Sequence, residues 1–345
     1  MFLKNAWYVA AWANEITRDL HQITVLNEKI CVFRMQSGEV IALEDACPHR
    51  KLPLSKGRIK GDHVECGYHG LTFDCAGQCV WAPGGGRIPS AAKVRPYPVH
   101  EKFGLVWIWM GNAALADTDE IFEIEHFDDP AWGINKGAAM DLPCNYLLMT
   151  DNLLDPTHVA WVHDGSFAQD ATKDTPLRIT KTDDGIIVHR WMTDVEPAPF
   201  YKKVIGFTGN CDRKQHYEVR YPSHALIRAI FTPAGTGGDD GALHEDTFIM
   251  DSYNFMTPAS ETTTRYYWFQ LRNIRPDDQA LSKMMSADVQ HAFEEDRAVL
   301  TAVQIGLAEK TSPHIDLPID GGQLRFRRKL EAMIAEETAV DAALM

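Results

Sequence analysis

Two short segments of this 345-residue chain, Cys47-Pro48-His49 and Cys66-Gly67-Tyr68-His69, are separated by sixteen residues and form the pattern C-x-H-x16-C-x2-H. No other feature constrains the fold as strongly, because the two segments must fold back on each other to share one centre. Two chemistries take two Cys and two His. One is a tetrahedral zinc; the other is a [2Fe–2S] cluster in which the Cys hold one iron and the His the other. Zinc modules usually pair like ligands, Cys-x-x-Cys followed by His-x3-5-His with the second pair on a helix. Here each segment carries one Cys and one His, as required when each of two irons draws one ligand from each loop. Pro48 and Gly67, with Gly57 and Gly70 nearby, suit a tightly turned backbone whose N–H groups approach bridging sulfides. The pattern points to the cluster, with structural zinc as the other reading.

The seven cysteines do not read as a disulfide framework: the number is odd. The chain is also about two domains long and can build its own core. Cys75 and Cys79, with three residues between them on an expected β-hairpin beyond the second segment, read as buried or half-buried free thiols rather than ligands. Acidic residues outnumber basic ones 48 to 34. Such a surface repels phosphate backbones and anionic lipid, which argues against nucleic acid or a membrane as partner, and it suits a basic protein. No apolar run approaches the roughly 18 residues of a membrane span. The opening MFLKNAWYVAAWANE mimics a secretory leader, with Lys4 before a short apolar stretch and Ala11-Trp12-Ala13 as a mock cleavage site. Its aromatic core is only about eight residues long, so it reads as mature sequence of a cytoplasmic protein.

Runs rich in Val, Ile, Phe and Trp at 23–33, 39–44 and 105–110, separated by turn signals, make the first hundred residues an all-β unit. The chain turns small and polar at 112–119, which places the expected boundary between domains 1–112 and 113–345. Beyond it, 145–162 reads as helical. Strands follow near 185–191, 216–221, 225–231, 246–256 and 262–271, then a long helix at 278–307 and an amphipathic one at 323–337. The glycine-rich stretch 235–241 reads as a loop that matches no phosphate-binding pattern. The fold class is α+β: an N-terminal all-β domain followed by a catalytic domain with helices on an antiparallel sheet.

A second constellation lies in the segment Asp151–His163. Asn152, Asp155 and His158 are three apart and stack on one face of a helix. His158 and His163 are five apart, about 500° of rotation, which leaves them about 140° out of register on a regular helix. Both reach one ion only if the helix ends, bends or bulges between them, and Pro156 favours such a distortion. Two His and one carboxylate would make the facial triad of non-haem Fe(II) oxygenases, with open positions for O2 and substrate. The long helix offers the carboxylate. Its apolar stripe runs Leu281, Met285, Val289, Ala292/Phe293, then Asp296, then Leu300, Val303 and Leu307. An Asp within a buried stripe is costly unless paired or bound to a cation; an Arg or backbone partner is the other explanation. Glu294 and Glu295 lie off the stripe and are expected to be solvated.

CPHRKLPLSKGRI (47–59) and CGYHGLTFD (66–74) resemble the cluster domain of the Rieske non-haem iron oxygenases. LKNAWYVAAW (3–12) resembles the group containing vanillate O-demethylase oxygenase and dicamba monooxygenase. The resemblance is clearest over 1–165 and returns near 296. It implies that Cys47, His49, Cys66 and His69 hold a Rieske [2Fe–2S] cluster, and that His158, His163 and Asp296 (within FEEDRAV) hold a mononuclear Fe(II). By the same resemblance Asp155 bridges a Rieske His of a neighbouring subunit to an iron-ligand His, with His69 and His158 as partners, while Asn152 matches an Asn near the iron. A bridge to a neighbour implies a head-to-tail ring, a homotrimer.

The implied function is that of the terminal oxygenase in a multicomponent system. NAD(P)H electrons arrive through a flavin/iron–sulfur reductase, with or without a ferredoxin, and O2 is the co-substrate. The leading reaction is oxidative O-demethylation of a methoxy-aromatic acid or phenol. Hydroxylation of a ring or methyl carbon, or N-demethylation, is the alternative within the class. An electron carrier without catalytic iron, or a zinc-binding interaction module, are the alternatives outside it; the chain's length argues against a carrier.

Other residues are less informative. Alternation in 225–231 puts His224, Leu226, Arg228 and Ile230 on one face and Ala225, Ile227, Ala229 and Phe231 on the other. Arg228 is a charge in an apolar strand, read either as an anchor for an anionic substrate or as half of a structural pair. Tyr253, Asn254, Trp268 and Gln270 are candidates for an aromatic pocket, although core packing explains them equally well.

Overall fold

The computed structural model describes residues 1–239 and 243–344. The chain divides into two compact units. One comprises Met1–Phe122 with Thr257–Glu261 and Glu336–Met345; the other comprises Glu123–Met256 and Thr262–Ala335.

In the first unit, residues 1–122 form three antiparallel sheets. Trp7–Trp12, the segment that mimics a leader, is buried along its whole length and pairs with Leu105–Trp109, which in turn pairs with Val99–Lys102. Its aromatic side chains are core. The run at 23–33 is a hairpin rather than one strand. His21–Val25 and Glu28–Arg34 are joined by Leu26 and Asn27, at φ 49° and 68°. Two successive left-handed residues suit the type I′ turn that matches strand twist; Leu is not a turn residue, so periodicity runs through it. Val40–Glu44 and Pro96–Tyr97 complete that sheet. The third sheet, Arg58–Lys60, His63–Glu65, Thr72–Phe73 and Cys79–Trp81, is small. Phe33, Leu43, Val64 and Phe73 form a core into which Cys47 and Cys66 are packed.

The second unit is built on one large sheet. Its order is Gly133–Lys136, Thr263–Arg272, Phe248–Ser260, His224–Pro233, Cys211–Arg220, Gly185–Val195 and Arg178–Lys181, with Met140–Leu142 also paired to Thr263–Arg272. The strands expected from β-branched and aromatic runs are present; four are longer than expected, because polar cross-strand pairs continue the ladders past the apolar runs, and the fifth, Thr263–Arg272, is shifted by one residue. The edge strands at 133–136, 140–142 and 178–181 are too short and polar to be legible. Of the stretch 235–241, residues 240 and 241 lie outside the described residues; 235–239 are irregular.

Helix Gln279–Glu309 is capped by Asp278, whose side chain accepts from the Leu281 N–H at 2.9 Å. Its buried face is Leu281, Met285, Val289, Ala292, Asp296 and Leu300. The expected stripe is therefore right as far as Leu300, but Val303 and Leu307 are exposed, with no described element packed over them. The closing helix, Gly321–Leu344, is longer at both ends than the amphipathic pattern, and buries Phe326, Leu330 and Ile334. The single helix expected over 145–162 is two: Tyr146–Asn152 and Val159–Val162, with Pro156 in the gap. Pro cannot donate the hydrogen bond that would continue the first helix and disfavours helical geometry at Asp155. No helix among the described residues is long and apolar enough to cross a membrane.

Candidate metal centres

The loops at Cys47 and Cys66 are built alike. The Cys47 N–H donates to Leu52 O (2.9 Å) and the Lys51 N–H returns to Cys47 O (2.8 Å). In the second loop the Cys66 N–H donates to Leu71 O (2.8 Å) and the Gly70 N–H returns to Cys66 O (3.0 Å). The fifth residue of each loop is left-handed, Lys51 at φ 59° and Gly70 at φ 76°. Gly57 permits the close approach behind them: a Cβ there would lie 2.2 Å from the Glu65 carbonyl. The result presents two buried sulfurs and two exposed imidazoles, the His49 and His69 rings 4.7 Å apart between centres. Burial pushes the Cys47 thiol up, against the lowering effect of the His49 and Arg50 main-chain N–H groups that face its sulfur. An inner sulfur pair and an outer imidazole pair fit a dinuclear cluster with one iron of each kind. Cys75 and Cys79 are free and half-buried, their Sγ atoms on the Asp62 and Trp81 carbonyls at 3.3 and 3.2 Å.

In the second unit, His158, His163 and Asp296 offer three ligand atoms within 4.8 Å of one another. The helix break produces this. His158 is the residue before the short helix Val159–Val162 and His163 the residue after it, at φ −109° and ψ 39°, so the second imidazole is swung back toward the first. The expectation that Asn152, Asp155 and His158 share one helical face fails, because the helix ends at Asn152. His158 Nδ1 lies 2.5 Å from the Asp155 main-chain carbonyl. A carbonyl only accepts, so Nδ1 carries the proton and Nε2 is free to ligate. The Asp155 carboxylate instead accepts from the Thr157 N–H at 2.7 Å, so within the chain the expected carboxylate–His158 contact is replaced by a main-chain one. His163 is set in the same way by Glu295, whose Oε2 lies 2.8 Å from Nδ1. Both Nε2 atoms then face Asp296 Oδ1, at 3.6 Å from His158 and 3.3 Å from His163. Asn152 Nδ2 donates to the same oxygen at 3.0 Å. Converging, and buried apart from the half-buried His158, this donor set fits a divalent cation with open positions.

Glu295 was expected to be solvated. It is the partner that orients His163; the general habit of metal-ligating histidines to donate their other N–H to a carboxylate is the signal that could have prompted a search for it. Arg190 was also missed. This buried side chain donates to Gln215 Oε1 (2.6 Å), to the Pro156 carbonyl (3.0 Å) and to the Thr172 and Thr175 carbonyls, tying the loop between the two helices to the sheet.

The triad opens on a cavity of about 80 Å³ whose other walls include Phe167, Tyr217, Ile227, Met250, Ser252 and Phe293. That is below the roughly 150 Å³ of a cavity that holds benzene, so a single-ring guest already requires side-chain adjustment. Asn254 and Gln270 line it; Tyr253 and Trp268 do not, and pack on Phe269 and Phe293. Arg228 does not line it either. Alternation turns it to the opposite face of the sheet from Ile227, where it pairs with Asp251 (2.7 Å) and Glu125 (2.6 Å). The substrate-anchor reading of Arg228 is thereby corrected to the structural pair. Burial, and then the Asp296 charge, push the Tyr266 phenol well up; its OH donates to Asn254 Oδ1 at 2.7 Å behind the site.

Residues 6–97 match the family model of the Rieske [2Fe-2S] domain and residues 142–336 that of the vanillate O-demethylase oxygenase C-terminal domain. The chain is 36% identical over 342 residues to the iron-sulfur subunit of a toluene-4-sulfonate monooxygenase system from Comamonas testosteroni, covering 98% of each chain. It is 35% identical over 354 residues to the vanillate O-demethylase oxygenase subunit of Pseudomonas sp. (strain HR199 / DSM 7063), covering 100% of this chain and 99% of the other. The crystal structure of dicamba monooxygenase bound to 3,6 dichlorosalicylic acid superposes with a TM-score of 0.90 at 30% identity, covering 98% of this chain and 99% of that one.

Proposed function

We propose that this chain, which belongs to the family of Rieske oxygenase components with a vanillate O-demethylase-type C-terminal domain, demethylates a methoxy-aromatic acid or phenol by O2-dependent monooxygenation. The observation that carries the reading is the convergence of two imidazoles and one carboxylate on a largely apolar cavity. In balance, Ar–OCH3, O2, two electrons and two protons give a hemiacetal and water; the hemiacetal collapses to the phenol and formaldehyde.

Cys47, His49, Cys66 and His69 hold the cluster in the first domain (1–112), and His158, His163 and Asp296 hold the iron in the second (113–345). The cluster supplies electrons one at a time and the iron supplies O2 activation. The remaining work belongs to the chain. Asn152 and Glu295 fix the orientation of Asp296 and His163, and Arg190 holds the loop that carries His158. Phe167, Ile227, Met250 and Phe293 exclude water and take an aromatic ring. Electrons come from NAD(P)H through a separate flavin/iron–sulfur reductase, with or without a ferredoxin, in the cytoplasm, and the acidic surface suits a basic face on that partner. Asp155 passes them on from His69 of the partner subunit in a homotrimer. Exposed Val303, Ile305, Leu307, Ile315 and Leu317 support that assembly, since they leave apolar surface for another copy to bury.

Methyl hydroxylation is the second reading, favoured by the relative named for toluene-4-sulfonate, a substrate with an aryl methyl and no methoxy group. A single turnover separates them without the reductase. Fully loaded, dithionite-reduced protein is mixed with O2 and a panel of methoxy- and methyl-substituted benzoates and phenols. Formaldehyde with a matching phenol supports demethylation. A benzyl alcohol without formaldehyde refutes it in favour of the second reading, and no product from any compound refutes both.

A further inference from the structure

The cavity beside His158, His163 and Asp296 contains a positive charge for which the described residues supply no counter-ion. Arg213 stands on strand Cys211–Arg220, on the face it shares with Gln215 and Tyr217, and is only 2% exposed. It lines the same cavity as the three converging ligands. Its Nη1 donates to Gln169 Oε1 at 2.5 Å, and Gln169 is itself held by the Glu196 carbonyl. The guanidinium carbon lies 5.0 Å from the Tyr201 ring centre and 4.9 Å from that of Phe231. Nε is buried without a partner. Among the described residues no carboxylate pairs with this arginine.

Taking a guanidinium out of water is costly unless it is both paired and hydrogen-bonded. Two equally buried arginines in the same unit do not face the cavity, and Arg272 also leaves Nε and Nη1 without a partner, so what sets Arg213 apart is its place on the cavity wall. Arg190 spreads its donors over Gln215 and three carbonyls. Arg272 donates to the Arg275 and Asp278 carbonyls and to Ser282 Oγ, and it does not line the cavity. Arg213 has only neutral acceptors, the Gln169 amide and the Tyr201 hydroxyl, together with two ring faces, and it stands on the cavity wall. The ring faces hold its plane, and the buried Nε without a partner belongs to the edge that forms the fork with which arginine takes two oxygens of a planar anion.

We propose that Arg213 binds the acidic group of the substrate, so that the substrate class is an aromatic acid, carboxylate or sulfonate, held by its charge with the oxidised carbon turned to the triad. This rests on the oxygenase reading above and narrows it, since a neutral phenol would leave the guanidinium unpaired. Arg213 is thus a specificity-determining residue and stands on the cavity side of the sheet, whereas Arg228 is on the other side.

Binding tests this without turnover. The anaerobic, iron-loaded protein is titrated by calorimetry with 4-methoxybenzoate, 4-methoxybenzenesulfonate and the neutral 4-methoxybenzamide. The wild type should bind at least one acid about tenfold or more tighter than the amide. Arg213→Met should lose about 10- to 100-fold for that acid and change the amide by no more than about twofold. Arg213→Lys, which keeps the charge but not the fork, should fall between. Iron content and melting temperature confirm that each variant is folded. If Arg213→Met does not fold, the wild-type preference for acid over amide decides alone. A wild type that binds acid and amide equally, or binds neither acid, overturns the proposal, as does a folded Arg213→Met that keeps the wild-type preference. Arg213-dependent acid binding without formaldehyde in the single-turnover assay would leave this anchor standing and remove the demethylase reading.

Discussion

Glu295 offers a direct test of how the iron site is tuned. Its carboxylate holds the Nδ1–H of His163 at 2.8 Å, so that Nε2 faces Asp296. Removing such an outer partner typically lowers metal affinity by about 10- to 100-fold, roughly 1.4 to 2.7 kcal/mol. The Glu295 side chain is 31% exposed, so water screens part of the interaction and can replace it; this places the expected loss near the lower end, about tenfold. Glu295→Ala should show the full loss. Glu295→Gln, which can still accept from Nδ1 but carries no charge, should lose less. Glu294→Ala is the control, since Glu294 pairs with Arg297 and Gln290 and not with the site. The assay is anaerobic competition between apo-site protein and a chelator for Fe(II), with acid-labile sulfide in the same sample reporting the cluster as an internal standard. Wild-type Fe(II) affinity in Glu295→Ala, or an equal loss in Glu294→Ala, would refute the assignment.

Three further outcomes follow from the same geometry. Asp296→Ala should lower iron from about three to about two per chain with sulfide and the reduced Rieske EPR signal retained, whereas Cys66→Ser should abolish sulfide and signal; iron analysis of both variants checks that the centres are separable. Arg228→Met should cost about 3 to 5 kcal/mol in urea unfolding, because it leaves the fully buried Asp251 without its cation, while substrate affinity stays at the wild-type level; a loss below about 1 kcal/mol would contradict the pairing. Arg190→Met removes the bonds to the Pro156, Thr172 and Thr175 carbonyls. It should loosen the His158 loop, seen as faster amide exchange at 153–158 and weaker Fe(II) retention.

Much of the site is local in origin, and local features are legible. The ligand spacing of the two cluster loops, the helix-breaking Pro156 between the helices, and an Asp in the apolar stripe of the long helix each announce themselves within a few residues. What escaped notice depended on partners distant in sequence. Glu295 looks solvated on its own helix and becomes a tuning residue only because His163 arrives beside it from 132 positions away. The two arginines teach the same lesson in reverse. Arg228 stood out as a charge among apolar residues, yet its register partner in the ladder is Asp251, so it is neutralised. Arg213 sat in a polar run, CDRKQHY, that gave no reason to single it out.

By itself, then, the sequence determined the chemical inventory: which donors exist, how each ligand pair is spaced, where helix must yield to turn, and the α+β class. These follow from side-chain chemistry and from backbone preferences that act over a few residues. The tertiary structure alone decided which charges are paired and which face the cavity. It also decided that His158 uses a main-chain carbonyl to set its tautomer, and that Val303 and Leu307 near the end of the long helix are exposed. The reason is physical: the cost of a buried charge depends on what lies within a few ångströms of it, and those neighbours come from other elements tens of residues away or more, Asp251 for Arg228, Gln169 for Arg213 and Glu295 for His163.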